Sequence, residues 1–182
     1  LIYLISFNSI LKISIITINY NNGSGLERTI KSVVNQDYKN LEYILIDGAS
    51  NDDSVDVIKK YNDKITKWIS ESDTGIYNAM NKGIHLSTGD YLLFLNSGDT
   101  LHSPEILSTV SNNFIDRKDI YYGNLLFKTK EKEYINEYPE KLAFSYFFNN
   151  RSLPHPGSFI KRSLFDTVFY YNESLKLVSD WE

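Results

Sequence analysis

The sequence predicts an α/β fold in which a mostly parallel sheet is flanked by helices. Short apolar runs rich in β-branched residues alternate with helix-like stretches through the first hundred residues, which is typical of βαβ units. The chain has 182 residues, of which 42% are apolar, enough to bury a core without disulfide bonds. No repeat and no Pro/Gly/Ser-rich linker divides the chain, so we expect a single domain.

The strands are predicted from buried-looking apolar runs that end in turn-forming residues. Those of the first part are ISIITI, LEYILI, ITKWIS and YLLFLN, at positions 13–18, 41–46, 65–70 and 91–96. After position 114 the pattern becomes richer in aromatic residues. Strands are predicted at 120–128 and 132–138 as a hairpin, followed by a short helix at 141–150 and a strand running into a helical turn at 157–165.

Helices are predicted between these strands, each from a recognisable start signal. Ser24 and Glu27 have the spacing of a capping box, which opens a helix through about position 35. Either Asp52 or Asp53 caps a second helix that runs to about position 61, and a third spans about 75–86. The sequence Ser103-Pro104-Glu105 predicts a fourth helix, with an N-cap, a proline at N1 and an acid in the first turn.

Charge and composition exclude several classes of protein. The formal net charge is −4, so no basic field is present to hold nucleic acid non-specifically. The chain contains no cysteine, which excludes disulfides, thiolate zinc sites and cysteine nucleophiles. The apolar run at 1–18 contains Asn8 and Lys12 and lacks a positive leader and a cleavage site, so an N-terminal extension is favoured over a membrane span.

Acids, amides and glycines follow each of the four front strands. Because the carboxyl ends of parallel strands meet at one edge of a sheet, we expect these side chains to form one rim. With few Lys or Arg nearby, such a rim suits a divalent cation that bridges to phosphates. The rim residues are Asn19, Tyr20, Asn21 and Asn22; Asp47, Gly48, Ser50 and Asp52; Glu71, Asp73 and Gly75; and Asn96, Ser97, Gly98 and Asp99.

A dinucleotide site is the alternative interpretation of the same rim. Gly23-Ser24-Gly25 follows the first strand, and Asp47 has the spacing of a ribose contact. However, Arg28 occupies the position of the third glycine, where close helix–strand packing requires no side chain. The chain has no G-x-x-x-x-G-K-[ST] loop, so a P-loop nucleotidase is excluded.

The order of four segments resembles the family 2 glycosyltransferases, which have the GT-A fold. The resemblance is close over about 12–110 and looser through PHPGSFIKRSLF to Asp180; the segments are ISIITINYNN, SVVNQDY, EYILIDGASNDDS and SESDTGIYNAMNKGIHLSTGDYLLFLNSGDTL. It implies an inverting transfer of a sugar from a nucleotide-diphosphate sugar to an acceptor hydroxyl. The pathway implied is the synthesis of a bacterial surface polysaccharide or a lipid-linked glycan.

The resemblance also implies which residues form the donor site. Asp99 matches the metal-binding acid of the family's DxD-type motif, with Mg²⁺ or Mn²⁺ as the cofactor. Gly98 stands where the family often has Asp, so metal contacts rest more heavily on Asp99, with Asn96 or Ser97 as helpers. The nucleotide-sugar-binding residues implied are Thr17, Asn19, Tyr20, Asn21, Asp47, Gly48, Asp73, Gly75, Asn81, Ser97 and Gly98.

On the acceptor side, Asp180 resembles the family's catalytic base, a carboxylate that accepts the proton of the attacking hydroxyl. An N-cap role for Asp180 remains open beside it, and the two are compatible. His155 is a weaker candidate that either lines the acceptor cleft or holds a loop, and Trp181 is a candidate for stacking on a sugar ring. Lys82 is interpreted as either a phosphate contact or a solvated surface residue.

These interpretations divide the domain into an N-terminal extension (1–11), a nucleotide-sugar-binding half (12–115) and an acceptor-side half (116–182) whose C-terminus is expected to be truncated. The expected partners are a nucleotide-sugar donor and a glycan or lipid-linked acceptor, without nucleic acid. The expected location is the cytoplasm, with peripheral association at the inner face of the plasma membrane. A degenerate transferase that only binds nucleotide or glycan, and a Rossmann oxidoreductase, remain as alternatives.

Overall fold

A six-stranded sheet organises the computed structural model of this chain. The strands are β1 (Ile13–Asn19), β2 (Leu41–Asp47), β3 (Lys67–Ser70), β4 (Tyr91–Phe94), β5 (Ile120–Tyr122) and β8 (Ser158–Lys161). Their order in the sheet is β3-β2-β1-β4-β8-β5. Strands β1 to β4 are mutually parallel, whereas β8 runs antiparallel to both β4 and β5. The predicted α/β class with a mostly parallel sheet is therefore confirmed.

The structure describes residues 11–129, 131–143, 145–148, 152–168 and 170–175. The catalytic candidate Asp180, the sugar-stacking candidate Trp181 and nearly all of the predicted N-terminal extension lie outside these ranges. Within the described residues, no helix has the length and apolar content that crossing a membrane requires.

Six α-helices and two 3₁₀ turns connect the described strands. Their bounds are α1 (Gly23–Val34), α2 (Ser54–Lys60), α3 (Ile76–Leu86), α4 (Ile106–Ser111), α5 (Ser145–Phe148) and α6 (Ser163–Thr167), with 3₁₀ turns at Phe114–Asp116 and His155–Gly157. A separate antiparallel hairpin joins β6 (Leu125–Lys128) to β7 (Glu133–Asn136). The predicted hairpin is thus present, but the expected single strand at 120–128 is divided into two at positions 123 and 124.

The capping box expected at the start of α1 is wrong. The helix begins two residues earlier, because its N-cap is Asn22, whose side chain accepts a hydrogen bond from the Gly25 backbone. Glu27 instead pairs with Lys60 on α2, at 2.7 Å, so the acid ties two helices together. Asparagine and serine are nearly equivalent N-caps, which is why the pattern alone selects the wrong residue.

The start of α2 agrees with the prediction that Asp52 or Asp53 caps it, whereas the start of the fourth helix differs from the prediction. Asp53 occupies the N-cap position of α2 but makes no side-chain cap bond, whereas Asp52 accepts from the backbone N–H groups of both Ser54 and Gly23. Asp52 therefore links the start of α2 to the start of α1. The fourth helix begins at Ile106 rather than at Pro104, because the residues from Ser103 to Glu105 form a turn before it.

The core lies on both faces of the sheet, because β1 and β2 are buried along nearly their whole length. Side chains alternate between faces along each strand. One face packs against α1 and α2 through residues such as Ile15, Leu26 and Leu45, and the other packs against α3 through residues such as Ile16 and Met80. At this second face, a Cβ added to Gly83 would lie 2.3 Å from a methyl carbon of Ile16, so only glycine allows α3 to approach so closely.

A buried acid, Glu42, ties the parallel strands together near the start of β2, at the edge of the sheet opposite the carboxyl ends of the strands. Glu42 on β2 is 2% exposed and accepts hydrogen bonds from the Ser14 hydroxyl (2.6 Å) and from the Thr88 backbone (2.7 Å) and hydroxyl (2.9 Å). Lys12 and Lys67 pair with its Oε1 atom. Burial alone would raise the pKa of Glu42, but these hydrogen bonds outweigh it and lower the pKa to about 2.

Candidate functional site

A cavity of about 610 Å³ opens at the carboxyl ends of β1, β2 and β3, where the sequence predicts a polar rim. Five of the predicted nucleotide-sugar-binding residues line it, together with Asn96. The lining residues are Ile18, Asn19, Tyr20, Gly48, Ala49, Ser72, Asp73, Thr74, Gly75, Ile76, Ala79 and Asn96. All carry neutral side chains except Asp73.

The mouth of the cavity is formed by Tyr20, Gly48 and Asp73. The Tyr20 side chain is 68% exposed, so a large aromatic face is available beside the opening. A Cβ added to Gly48 would lie 3.0 Å from the Asp73 carboxylate and 3.3 Å from the Tyr20 ring. Glycine at position 48 therefore keeps open a gap between an aromatic ring and a carboxylate.

Asp47 lies behind the wall of this cavity rather than in its lining. Its buried carboxylate accepts hydrogen bonds from the Asn19 side chain (2.7 Å), from the Ser50 backbone (3.0 Å) and hydroxyl (2.6 Å), and from the Ser70 hydroxyl (2.7 Å). Burial would raise the pKa of Asp47, yet these donors lower it overall, so the side chain is held ionised. Asp47 thus fastens the ends of β1, β2 and β3 together and fixes the loop that carries Gly48.

The segment that follows β1 is fastened to the loop after β2. Asn21 adopts a φ of +49°, its backbone donates to the Ser50 hydroxyl, and its side-chain oxygen accepts from the Asn51 backbone. This conformation belongs to the left-handed region, which asparagine tolerates better than most residues. Asn21 therefore shapes the wall next to Tyr20 without itself lining the cavity.

The loop of residues 96–99 is anchored to α1. Gly98 has a φ of +110°, a conformation that side chains rarely adopt, and its N–H donates to the Thr29 hydroxyl. The Thr29 hydroxyl donates in turn to the Asp99 carbonyl, and the Asn22 side chain donates to the Ser97 carbonyl. The backbone conformation thus gives a physical reason for glycine at position 98.

Two oxygen groups of this loop suit a divalent cation. Burial raises the pKa of Asp99, only partly opposed by a hydrogen bond from the Asn96 backbone. The buried Asn96 side-chain oxygen has no hydrogen-bond partner among the residues that the structure describes. No cluster of three His, Cys, Asp or Glu side chains occurs within those residues. This donor set fits Mg²⁺ or Mn²⁺, which are commonly held by one or two carboxylates plus substrate phosphates and water.

Two of the predicted nucleotide-binding residues are engaged elsewhere. Thr17 is fully buried, and its hydroxyl accepts a hydrogen bond from Tyr43. Asn81 on α3 is 5% exposed, donates to the Tyr171 carbonyl and to Glu173, and accepts from the Tyr171 backbone. Asn81 therefore attaches the 170–173 segment to α3. Neither side chain lines the cavity.

His155, the acceptor-side candidate, lies in an aromatic cluster at the start of β8. Its ring lies 6.1 Å from the Phe94 ring and 5.8 Å from the Tyr171 ring, measured between centroids. Its Nε2 atom is 3.4 Å from the Tyr171 hydroxyl. His155 does not line the cavity at the strand ends, and its acceptor-side role stays a prediction.

The sequence pattern does not reveal several residues of the site. It places Ser50 on the rim but does not reveal that Ser50 donates a hydrogen bond to Asp47. It does not include Ser70, the other hydroxyl donor to Asp47, among the rim residues. Ser70 ends β3, so the rule applied to the other strand ends would have found it. Lys82 is not an isolated surface residue, since its side chain is 20% exposed and its ammonium pairs with Asp73 and Glu71. The lining residues that the pattern does not single out are Ile18, Ala49, Ser72, Thr74, Ile76 and Ala79.

Comparison with known proteins places this architecture among sugar-transferring enzymes. Residues 14–170 match the model of the family described as glycosyl transferase family 2. A PGL/p-HBAD biosynthesis glycosyltransferase of Mycobacterium bovis is 28% identical over 176 residues, which cover 93% of this chain and 66% of that protein. The chain thus spans just under two thirds of the length of this relative.

Solved structures have the same fold at low sequence identity. S. aureus TarS 1–349 in complex with UDP superimposes with a TM-score of 0.76 at 20% identity, covering 94% of this chain and 53% of that one. The mannosyltransferase PcManGT of Pyrobaculum calidifontis, in complex with GDP-Man and Mn²⁺, gives a TM-score of 0.72 at 14% identity, covering 96% and 51%. Both likenesses establish the GT-A fold of the present chain.

Proposed function

Because this chain belongs to glycosyl transferase family 2, we propose that it transfers a sugar from a nucleotide-diphosphate sugar to an acceptor hydroxyl, with inversion at the anomeric carbon. The observation that carries the proposal is the cavity at the ends of β1 to β3, with Tyr20, Gly48 and Asp73 at its mouth. Family membership does not support the oxidoreductase alternative, which we do not retain.

The cavity suits the nucleoside part of such a donor. Tyr20 offers an aromatic face on which a flat base can stack, and Asp73 offers an acceptor for a ribose hydroxyl or a base N–H. Gly48 leaves the gap between them unfilled. Asp47 and Asn21 act as supports that hold the two loops in this arrangement.

A divalent cation, Mg²⁺ or Mn²⁺, is the proposed cofactor. Asp99 and Asn96 would hold it, since Asp99 presents a half-buried carboxylate and the Asn96 side-chain oxygen has no hydrogen-bond partner within the described residues. When bound, the cation neutralises charge that develops on the leaving diphosphate. Thr29 and Asn22 keep the loop of these two residues fixed against α1.

The acceptor side of the proposal rests on Asp180, which lies outside the described residues and remains a predicted base. The segment that precedes it is fixed by Asn81, which ties residues 170–173 to the same helix that borders the donor cavity. The proposed acceptor is a glycan or lipid-linked glycan of a bacterial surface polymer, reached from the cytoplasmic face of the membrane. A relative named for PGL/p-HBAD biosynthesis supports a role in glycan assembly.

A second candidate function, binding without transfer, is favoured by the loop of residues 96–99. With Gly98 in place of a family acid, only one carboxylate is available there, so the cation would be held more weakly. Incubating the chain with a nucleotide sugar and Mn²⁺ in the absence of acceptor distinguishes the two functions. Release of nucleoside diphosphate indicates a slow enzyme, and an intact donor after prolonged incubation indicates a binding module.

The test of the proposed function is a calorimetric titration of UDP, GDP and dTDP with and without Mn²⁺. We expect at least one nucleotide to bind in a metal-dependent manner, and Asp99→Asn to abolish the metal dependence. Asp63→Asn is the matched control, because the Asp63 side chain is 73% exposed in the loop after α2. Absence of binding to all three nucleotides with Mn²⁺ present would refute the proposal.

A further inference from the structure

The charged pair behind the cavity mouth connects α3 to the donor site. Lys82 on α3 donates to Asp73 Oδ1 (2.5 Å) and to the Ser72 carbonyl (3.0 Å), and pairs with Glu71 Oε1 at 2.9 Å. The three protons of an ammonium group thus have three acceptors. The side chains of Lys82 and Asp73 are only 20% and 12% exposed, so this pair is largely shielded from water.

The two oxygens of Asp73 face different surroundings. Oδ1 accepts from Lys82, whereas Oδ2 faces the open gap in front of Gly48, where a Cβ would approach it to 3.0 Å. Lys82 therefore fixes the direction in which Oδ2 points. Partial burial opposes the charge on Lys82, but its acidic partners outweigh burial and raise its pKa, so the ammonium stays protonated.

Beyond the bond from the Glu71 backbone to the Asp47 carbonyl at its start (2.9 Å), the loop that carries Asp73 has few other supports among the described residues. The Thr74 backbone makes a long bond to the Asn78 side chain (3.4 Å), and Gly75 adopts a φ of +151° with no side-chain cap on α3. A chain segment built in this way is free to turn at the glycine unless something holds the preceding residue. Lys82, six residues after the first residue of α3, makes that connection.

We propose that Lys82 is a positioning residue for donor recognition, which holds the Asp73 carboxylate so that its second oxygen accepts a hydrogen bond from the nucleoside of the donor. Lys82 itself touches no donor atom. This inference rests on the proposed function and names a determinant of it that lies outside the cavity lining.

The experiment measures dissociation constants for UDP and GDP with Mn²⁺ in a double-mutant cycle of Lys82→Met and Asp73→Asn. We expect Lys82→Met to weaken the binding of the preferred nucleotide about tenfold, the scale of one hydrogen bond to a charged group. We expect Lys82→Arg to restore most of the affinity. In the Asp73→Asn background, Lys82→Met should raise the dissociation constant by less than about twofold, because the group through which Lys82 acts has lost its charge.

Lys60→Met is the matched control, since Lys60 pairs with Glu27 at 2.7 Å on the surface of α1 and α2, away from the cavity. It should leave nucleotide binding unchanged. Unchanged binding in Lys82→Met, or an equal loss in both Asp73 backgrounds, would overturn the inference while leaving the proposed function intact. If Lys82→Met does not fold, the Lys82→Arg and Asp73→Asn variants replace it in the test. Undiminished nucleotide binding in Asp73→Asn would then overturn the inference. A wild-type chain that binds none of UDP, GDP and dTDP with Mn²⁺ present would refute the proposed function and this inference with it.

Discussion

Replacing Glu42 with Gln tests the charged network that ties the strands together. The fold lowers the pKa of Glu42 from 4.5 to about 2, because the hydrogen bonds from Ser14, Thr88 and Lys12 outweigh the cost of burial. A shift of this size corresponds to about 3 kcal/mol of stability at neutral pH, at about 1.4 kcal/mol per pKa unit. Glu42→Gln keeps the size of the side chain and removes the charge that the network stabilises.

The sign follows from proton linkage. Because the pKa is lower in the folded state, the contribution of Glu42 is complete above about pH 4.5 and is lost as the pH falls from there through about 2. We therefore expect Glu42→Gln to lower the free energy of unfolding by about 3 kcal/mol at pH 7. The difference from wild type should shrink to about 2 kcal/mol near pH 3.5 and about 1 kcal/mol near pH 2.5.

The assay is urea unfolding of wild type and variant at a series of pH values, followed by circular dichroism. Glu137→Gln is the control, since Glu137 is exposed on the segment after the hairpin, and it should change the free energy of unfolding by less than about 0.5 kcal/mol. A Glu42→Gln effect that stays constant between pH 7 and pH 2.5 would show that the loss of a hydrogen-bond acceptor, not the loss of charge, sets its size. An effect below about 0.5 kcal/mol at pH 7 would refute the network altogether.

Three further variants test other contacts. Gly83→Ala should lower the free energy of unfolding, measured by thermal unfolding, by about 1–3 kcal/mol, because its Cβ would overlap Ile16. Gly123→Ala is the control and should be neutral, because open space surrounds Gly123. Equal effects of the two substitutions would contradict the close packing of α3 on β1. Gly48→Ala should weaken nucleotide binding about tenfold, the scale of one lost contact, with little loss of stability. Unchanged affinity in calorimetry would contradict the proposed gap between Tyr20 and Asp73. Asn81→Leu should increase amide hydrogen exchange in residues 170–173, and unchanged protection by mass spectrometry would contradict the clamp.

The front half of the fold could be predicted because its strands are buried on both faces. A continuous β-branched run such as Ile13–Asn19 is typical of a strand inside a parallel sheet, and the helices between such strands follow from chain alternation. Helix starts were less predictable, since Asn22 and Ser24 are both good N-caps and only tertiary contacts with the 96–99 loop select the first. The division of 120–128 into two strands depends on pairing with β8, which is distant in sequence.

The sequence predicts where the polar rim lies, but it predicts the contacts among the rim residues less well. Strand ends place Asp47 and Asp73 at one edge, but the pattern does not tell which carboxylate faces the cavity and which holds the loops. That difference arises from register, because Asn19 and Asp47 are paired at the ends of adjacent strands and Ser70 ends the next. Lys82 lies nine positions from Asp73 in the sequence, so only the turn at Gly75 brings the two together.

The central claim is that the cavity at the ends of β1 to β3 receives the nucleoside of a sugar donor. The most direct measurement is a nitrogen-15 NMR titration of this 21.1 kDa chain with UDP and with GDP in the presence of Mg²⁺. We predict that the amide signals of Tyr20, Gly48, Gly75 and Asn96 shift with one or both nucleotides, while those of α2 do not. Shifts confined to other surfaces, or no shifts at saturating nucleotide, would contradict the claim.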